Sequence, residues 1–189
     1  MKRKKQIIIY LLLTVLCVGS YMWLNDLRWS PKSYFAASQK MDHVGPVDEI
    51  LAELDCGDGR YAILGRAGEN LYYCGMKRTK GFFWEGTGRE YFTRAYLEEY
   101  DQIILARYYW NRDFLFGICR EPDAKEVSFQ LVDSEGNFLM EGKLPVREDG
   151  IFFGSNIRGA ILDESAQPYH LQALDAEGNV IAGEVEDAL

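Results

Sequence analysis

Histidine is scarce in this chain of 189 residues, in which His43 and His170 are the only two. The chain has no Cys-x-x-Cys pair and no cluster of cysteine with histidine, so the sequence gives no support for zinc binding. The sequence signatures of serine hydrolases, metalloproteases, dinucleotide-binding proteins and P-loop proteins are missing too. We therefore expect a protein without a catalytic centre, a metal ion or a cofactor.

Formal charge is missing from the eighteen residues 7–24, whereas each of residues 2–5 is lysine or arginine. A helix over residues 7–24 would be about 27 Å long, which suffices to cross the hydrocarbon core of a bilayer. Tyr21 and Trp23 lie near its end, where aromatic rings settle at headgroup depth. The segment predicts a single-pass anchor in contact with membrane lipid. By the positive-inside rule, the N-terminus is cytoplasmic and the bulk of the chain extracellular.

The same segment allows two other interpretations. A secretory signal peptide is the main alternative, because Val18-Gly-Ser20 offers small residues at a cleavable spacing. The apolar run continues through residues 21–24, which a signal peptide does not need, so we favour the uncleaved anchor. A lipoprotein is disfavoured because the bulky Leu16 directly precedes Cys17, and Cys17 is most simply an apolar residue of the helix.

Positive charge is in short supply beyond residue 30, where sixteen Lys and Arg face twenty-eight Asp and Glu, a formal charge of −12. Such an acidic domain repels phosphate backbones, so nucleic acid is not expected as a partner. A protein or cell-wall partner remains open. Cys56, Cys74 and Cys119 are an odd number of thiols outside the anchor, and we expect them to be free and mostly buried, with a Cys56–Cys74 disulfide as the alternative.

The N-terminal half of the predicted domain mixes helices and strands. Residues 25–45 are polar and are interpreted as a juxtamembrane linker. A helix is predicted over 46–54, because Pro46 suits the first helical position and apolar residues follow at helical spacing. A second helix is predicted over 89–100 from the capping-box spacing of Thr87 and Glu90. The expected strands of this half are 61–66, 71–76, 81–84 and 103–110.

The C-terminal half contains an internal repeat. Leu131-Val-Asp-Ser-Glu-Gly-Asn-Phe-Leu139 and Ala173-Leu-Asp-Ala-Glu-Gly-Asn-Val-Ile181 match position for position. In each copy Asp opens a tight turn and Gly supplies the positive φ, which predicts two hairpins. A calcium loop is disfavoured because an EF-hand needs acids at alternating positions and a distal Glu. The expected strands of this Ig-like half are 114–119, 126–132, 138–146, 150–153, 169–174 and 180–185.

Together these patterns predict an α+β, β-rich fold in four parts. These parts are the basic head and transmembrane anchor 1–24, the linker 25–45, a helix-plus-hairpin subdomain 46–112 and an Ig-like β subdomain 113–189. The side chains expected in the core are Ile63, Trp84, Ile104, Phe129, Val132, Leu171 and Leu174.

Three segments carry a resemblance to a known group. They are Asp58-Gly-Arg-Tyr-Ala-Ile-Leu64, Lys80-Gly-Phe-Phe-Trp84 and Leu115-Phe-Gly-Ile-Cys-Arg-Glu-Pro-Asp-Ala-Lys-Glu-Val127. In these residues the chain resembles small, membrane-tethered, β-rich extracytoplasmic proteins of Gram-positive bacteria. The resemblance extends loosely over residues 46–185. It implies a short helix, a hairpin that ends in an aromatic segment and an Ig-like tail, and it implies no catalytic residue.

Aromatic doublets are the feature that could form a binding surface. Adjacent side chains of a strand point to opposite faces, so one ring of each doublet is expected to leave the core unless a helix covers it. We take Trp84, Tyr108 and Trp110 as the candidate ligand-binding residues of a non-catalytic interaction or sensing module. The alternatives are cell-wall glycan binding through exposed aromatic rings and a small cell-surface hydrolase that uses His170 with an acidic partner.

Overall fold

The computed structural model describes residues 2–109, 113–155, 157 and 165–183. Within these residues the chain is β-rich, with three antiparallel sheets and a few helices. The elements in chain order are α1 Lys2–Leu24, α2 Pro31–Met41, β1 Glu49–Asp55, β2 Arg60–Ala67, β3 Asn70–Thr79, β4 Phe83–Phe92, α3 Arg94–Glu99, β5 Ile104–Tyr109, β6 Phe114–Cys119, β7 Glu126–Val132, β8 Phe138–Pro145, β9 Ile151–Ser155, β10 Gln167–Leu174 and β11 Val180–Gly183.

The N-terminal helix α1 contains the whole of the predicted apolar segment. From Arg3 to Leu24 it is long and apolar enough to cross a membrane, and none of its apolar window is buried inside the protein. The hydroxyl of Thr14 donates a hydrogen bond to the carbonyl oxygen of Tyr10 at 2.9 Å. That bond satisfies the polar group within the helix itself, as an apolar environment would require.

The segment interpreted as a linker over 25–45 contains the second helix, α2, and the interpretation is wrong there. Ser30 caps the helix: its side chain accepts a hydrogen bond from the Ser33 amide, and the Ser33 side chain accepts one from the Ser30 amide. Pro31 occupies the first helical turn, where its fixed φ is favourable. The buried side chains of α2 are Tyr34, Phe35, Ser38 and Gln39.

The helix predicted over 46–54 is also wrong, because strand β1 occupies residues 49–55. Its apolar residues fit both a helical and an alternating period, and the hydrogen-bonded neighbour β2 selects the strand. The hydroxyl of Tyr61 on β2 donates to the carboxylate of Glu53 at 2.8 Å, and Lys32 of α2 pairs with the same carboxylate at 2.9 Å. β1 forms one edge of a four-stranded sheet in the order β1-β2-β3-β4.

The hairpin of β2 and β3 is confirmed, and the strand predicted at 81–84 overlaps the longer β4 at residues 83–84 only, since residues 81–82 form a turn. The helix predicted over 89–100 is confirmed only as the short α3, because β4 continues to Phe92. Its N-cap is Thr93, whose side chain accepts a hydrogen bond from the Tyr96 amide at 3.1 Å. Thr87, the residue expected to open a capping box, therefore lies within strand β4.

The chain divides into two compact units, residues 1–65 with 73–90 and residues 66–72 with 91–189. The second of these units begins its main segment at residue 91, and the expected division into subdomains 46–112 and 113–189 stays a prediction. β5 pairs with β6 over six positions, which joins it to the second unit. The first unit contains α1, α2 and most of the sheet β1-β2-β3-β4.

The second unit contains two sheets, ordered β5-β6-β9 and β11-β10-β7-β8, with antiparallel pairing throughout. Side chains from both sheets share one buried cluster, which includes Ile104, Leu115, Phe129, Phe152 and Leu171. All seven predicted core residues are buried. The strand expected over 180–185 is described as β11 to residue 183, and residues 184–185 lie outside the described part.

The repeated motif forms two matching turns, as predicted. The Asp133 carboxylate accepts hydrogen bonds from the amides of Glu135 and Asn137, and Asp175 accepts the equivalent pair from Glu177 and Asn179. Hydrogen bonds from the following Asn side chain and amide lower the pKa of both carboxyl groups. Gly136 and Gly178 adopt φ of 82° and 85°, which the turns require.

The cysteines are free thiols, as expected. Cys74 and Cys119 are buried, Cys56 is half-buried, and Cys17 is exposed on α1. Burial raises the pKa of Cys119. Cys119 is therefore a packing residue in its protonated form.

Candidate interaction surfaces

Two of the three aromatic residues predicted to bind a ligand are buried. Trp84, in the first unit, is 7% exposed, and its backbone pairs with that of Arg28. Tyr108, in the second unit, is 6% exposed and donates a hydrogen bond to Asp113 at 2.7 Å. Trp110 lies outside the described residues. Trp84 and Tyr108 are candidate ligand-binding residues only if their rings share an exposed face. Each ring is instead buried in the core of its own unit, so the two rings share no exposed face. For Trp110 the assignment stays a prediction.

The aromatic doublets do place one ring outside, at a different position. Phe82 is 57% exposed, whereas its neighbour Phe83 is buried. The ring of Phe82 stacks on that of Trp29 with centroids 5.9 Å apart and planes 10° apart. Trp29 also contacts Phe83 at 4.7 Å between centroids. We call Tyr21, Trp29, Phe82 and Phe83 the aromatic patch; all four lie in the first unit and line one open groove with Cys17 and Val18.

The second unit carries a polar groove of about 390 Å³ on the sheet that contains β7, β8 and β10. Ser128 of β7 stands directly opposite Lys143 on one side and Gln172 on the other, and Gln130 stands opposite Glu141. Residues opposite one another in an antiparallel pair share a face, so these side chains project together. The groove is lined by Ser128, Phe129, Gln130, Glu141, Gly142, Lys143, His170 and Gln172.

A β-bulge brings His170 onto this face. Tyr169 pairs with Gln130 and Gln172 pairs with Ser128, so two residues of β10 oppose the single residue between them on β7. His170 takes φ of 50°, the left-handed region, and is exposed, whereas Leu171 remains in the core. Bulges of this kind shift the strand register by one residue and re-aim a side chain. Here the bulge adds an imidazole to the groove.

The imidazole of His170 has an amide as its neighbour. Its Nε2 lies 3.2 Å from Nε2 of Gln172, and its ring centroid lies 6.2 Å from that of Tyr169. Glu141 lines the same groove, but among the described residues no hydrogen bond or ion pair joins it to His170. His170 with an acidic partner, which the hydrolase alternative needs, stays a prediction.

The two groups with the largest pKa shifts, Tyr34 and Tyr61, lie outside the groove, and burial and hydrogen bonding cause their shifts. Burial and the nearby carboxylate of Asp26, which accepts a hydrogen bond from the hydroxyl at 3.2 Å, raise the pKa of Tyr34 to about 12. Burial and the hydrogen bond to Glu53 raise the pKa of Tyr61 to about 12. Both hydroxyls are consequently protonated donors at neutral pH.

The groove residues of β7 and β8 were not singled out from the sequence. Polar residues at alternate positions, Ser128 and Gln130 on one strand and Glu141 and Lys143 on the next, were the available signal. That pattern is also common on a plain solvated sheet face. The bulge, which gives the face its sixth polar side chain, has no signature in the sequence.

Comparisons of the chain with protein-family models, with curated proteins and with solved structures found no match. The resemblance of residues 46–185 to tethered β-rich proteins of Gram-positive bacteria stays a prediction. The functional assignment depends on the geometry and chemistry of the two surfaces themselves.

Proposed function

We propose that this chain is a single-pass, membrane-anchored, non-catalytic interaction module with its β-rich bulk outside the cytoplasm. Support comes from the apolar part of α1, residues 7–24, which follows the four consecutive Lys and Arg residues at the start of the helix. A cationic segment before the span places the N-terminus in the cytoplasm. The acidic composition of the remainder suits a soluble extracellular domain and disfavours polyanionic ligands.

The second unit is, on this proposal, an Ig-like sandwich. Its strands β5 to β11 take the places A, B, C, C′, E, F and G. The sheet β5-β6-β9 then has the order A-B-E, and β11-β10-β7-β8 has the order G-F-C-C′. This division agrees with Ig-like and fibronectin-type domains, in which the strands of the two sheets alternate along the chain. Because fold alone does not assign function, the proposal depends on the groove of this unit.

The polar groove is the proposed ligand-binding face, and the bulge at His170 is the observation that carries the proposal. β-Bulges recur beside functional sites, where they re-aim a side chain, and this one brings His170 into the groove. The groove offers two amides, a hydroxyl, an imidazole and one charge of each sign. This set hydrogen-bonds a ligand rich in hydroxyl and amide groups and with little net charge, and a cell-wall glycan has that chemistry.

The groove proposal predicts that Gln130→Ala combined with Gln172→Ala weakens glycan binding. Each amide contributes about 1 kcal/mol through its hydrogen bonds, so the dissociation constant should rise about 10- to 50-fold. The measurement is retention of the full-length, detergent-solubilised chain on purified peptidoglycan over a concentration series. Gln167→Ala is the matched control, because Gln167 is an exposed residue of the same strand outside the groove.

Two results would contradict the proposal. Equal retention of the double variant and the control would show that the groove is not the binding site. Failure of peptidoglycan to retain the unmodified chain would eliminate a glycan ligand. Release of soluble fragments from peptidoglycan, abolished by His170→Ala, would favour the hydrolase instead, since Ser128, Glu141 and His170 line one groove.

Topology gives a separate prediction. A protease added to intact protoplasts should remove the chain beyond α1 and leave a membrane-embedded fragment of residues 1 to about 30. The reason is that the bulk of the chain, on this proposal, faces the external medium, which the protease enters. Immunoblotting with tags at both ends, before and after lysis, is the measurement. Protection of the C-terminal tag in intact protoplasts would reverse the topology, and a mature chain that begins near residue 21 would establish signal cleavage.

A further inference from the structure

The end of α1 is joined rigidly to the first sheet. Met22, Leu27 and Phe83 form a buried cluster, and the Leu27 amide donates to the Met22 carbonyl at 2.8 Å. Arg28 then pairs with Trp84 of β4 through two backbone hydrogen bonds of 3.0 and 2.8 Å. The chain therefore leaves α1 directly into a packed and hydrogen-bonded structure. Any membrane position of α1 fixes the position of the β3–β4 hairpin.

The tip of that hairpin lies beside the helix and well before its end. The open groove of about 550 Å³ is lined by Phe82 at the tip and by Cys17 and Val18 of α1. Cys17 precedes Leu24 by seven residues, which is about 10 Å along a helix at 1.5 Å per residue. In a membrane that the helix spans, the ring of Phe82 would therefore lie below headgroup level, alongside lipid acyl chains.

The composition of the tip suits that depth. Trp29 and Phe82 are 59% and 57% exposed, a large apolar area for an acidic, soluble domain to leave in water. Lys80 and Gly81 take φ of 49° and 82° in the turn that precedes Phe82. The ammonium of Lys80 lies 4.4 Å from the centroid of the Tyr21 ring, so the cation and the aromatic ring lie at the same position along α1. Interfacial segments combine aromatic rings with lysine in this way.

We propose that the aromatic patch is a second membrane contact, in which Trp29 and Phe82 insert among phospholipid acyl chains and Lys80 meets anionic headgroups. The proposal rests on the single-pass anchoring proposed above and adds a role for the domain surface next to the anchor. Lys80 supplies positive charge at the hairpin tip of a domain that is acidic overall, which complements anionic phospholipid headgroups. The bilayer would thereby hold the first unit in a fixed orientation.

The test places a fluorescent reporter at the hairpin tip of the full-length chain. A background with Trp23→Phe, Trp29→Phe and Trp110→Phe keeps Trp84, which is buried. Phe82→Trp is added to this background, and the protein is reconstituted in vesicles of phosphatidylcholine and phosphatidylglycerol, part of it brominated on the acyl chains. Because bromine quenches indole emission on contact, we expect the added emission to be blue-shifted and to fall by about half or more, as for an indole at the interface.

Two further variants serve as references. Phe138→Trp in the same background reports an exposed ring of another hairpin, since Phe138 is 59% exposed, close to the 57% of Phe82. A background that retains Trp23 reports the end of α1. Quenching at Trp23 but not with Phe82→Trp would overturn the second contact and leave the anchor intact. Quenching of neither reporter would refute the anchor and, with it, the contact. Quenching with Phe82→Trp that emerges only when the chain is diluted in lipid would mean that a second copy covers the groove, and would also overturn the proposal.

Discussion

Gly117→Ala is expected to lower the free energy of unfolding of the second unit by about 3 kcal/mol or more. Gly117 lies within β6, the middle strand of the sheet β5-β6-β9. A Cβ at this position would overlap the carbonyl oxygen of Leu105 and the ring of Phe152. Phe152 is fully buried, and the carbonyl belongs to the neighbouring strand β5, so neither group can move without disrupting the core or the β5–β6 pairing.

The matched control is Gly183→Ala in β11, a strand of the same unit. Its Cβ would meet its nearest neighbours at 3.8 Å, an ordinary van der Waals distance. We expect a change within about 0.5 kcal/mol for this variant. Urea unfolding of the full-length chain in detergent, followed by circular dichroism, compares the two. Similar midpoints for both variants would mean that β6 does not pack against β5 and Phe152 as described.

Strands of the second unit were predictable because their sequence period and their surroundings agree. Residues 114–119 are a continuous apolar run and form β6, which is buried along its whole length. Residues 126–132 alternate and form β7, with Val127, Phe129 and Leu131 inward. The two Asp-x-x-Gly turns were predictable for a local reason, since the Asp carboxylate and the Gly backbone act within five residues.

Residues 25–55 were mispredicted because local signals there compete. Ser30-Pro31 is a helix start, but the polar surroundings of the segment favoured a linker. Pro46 followed by apolar residues at helical spacing favoured a helix, yet Glu49–Asp55 forms an edge strand. The decisive factors are contacts distant in sequence: pairing with β2 for the strand, and packing on the sheet for α2.

The candidate sites, too, depend on contacts that are distant in sequence. The doublet rule indicates that one ring of each pair leaves the core, but Tyr72 and Tyr73 are both buried, and Phe82 is exposed in the turn before β4 rather than on a strand. It does not identify which doublet is exposed, and Trp84 and Tyr108 proved to be buried. The sequence singles out His170 only as a residue that could act as a general base. Its place in the groove depends on a register shift between β10 and β7, and that shift is a property of strand pairing and not of the local sequence.

Phe35→Ala is expected to lower the free energy of unfolding of the first unit by about 3 to 5 kcal/mol, the usual cost of removing a buried phenylalanine ring. Phe35 is 4% exposed on α2. A Cβ on Gly65 of β2 would stand 3.1 Å from this ring and 2.9 Å from the side chain of Val47, so both side chains cover that glycine closely. Truncation would leave a cavity over β2 that the backbone of the sheet cannot fill.

Met41→Ala is the control for this prediction, because it removes apolar atoms from the same helix at a position that is 41% exposed. We expect a loss below about 1 kcal/mol there, since most of the side chain stays in water in both states. Denaturant unfolding of both full-length variants supplies the comparison. If the two variants lost stability equally, α2 would not be packed on the sheet, and residues 25–45 would act as the flexible linker that their polarity suggests. A large loss confined to Phe35→Ala would instead make α2 part of the folded unit, with no free tether between anchor and domain.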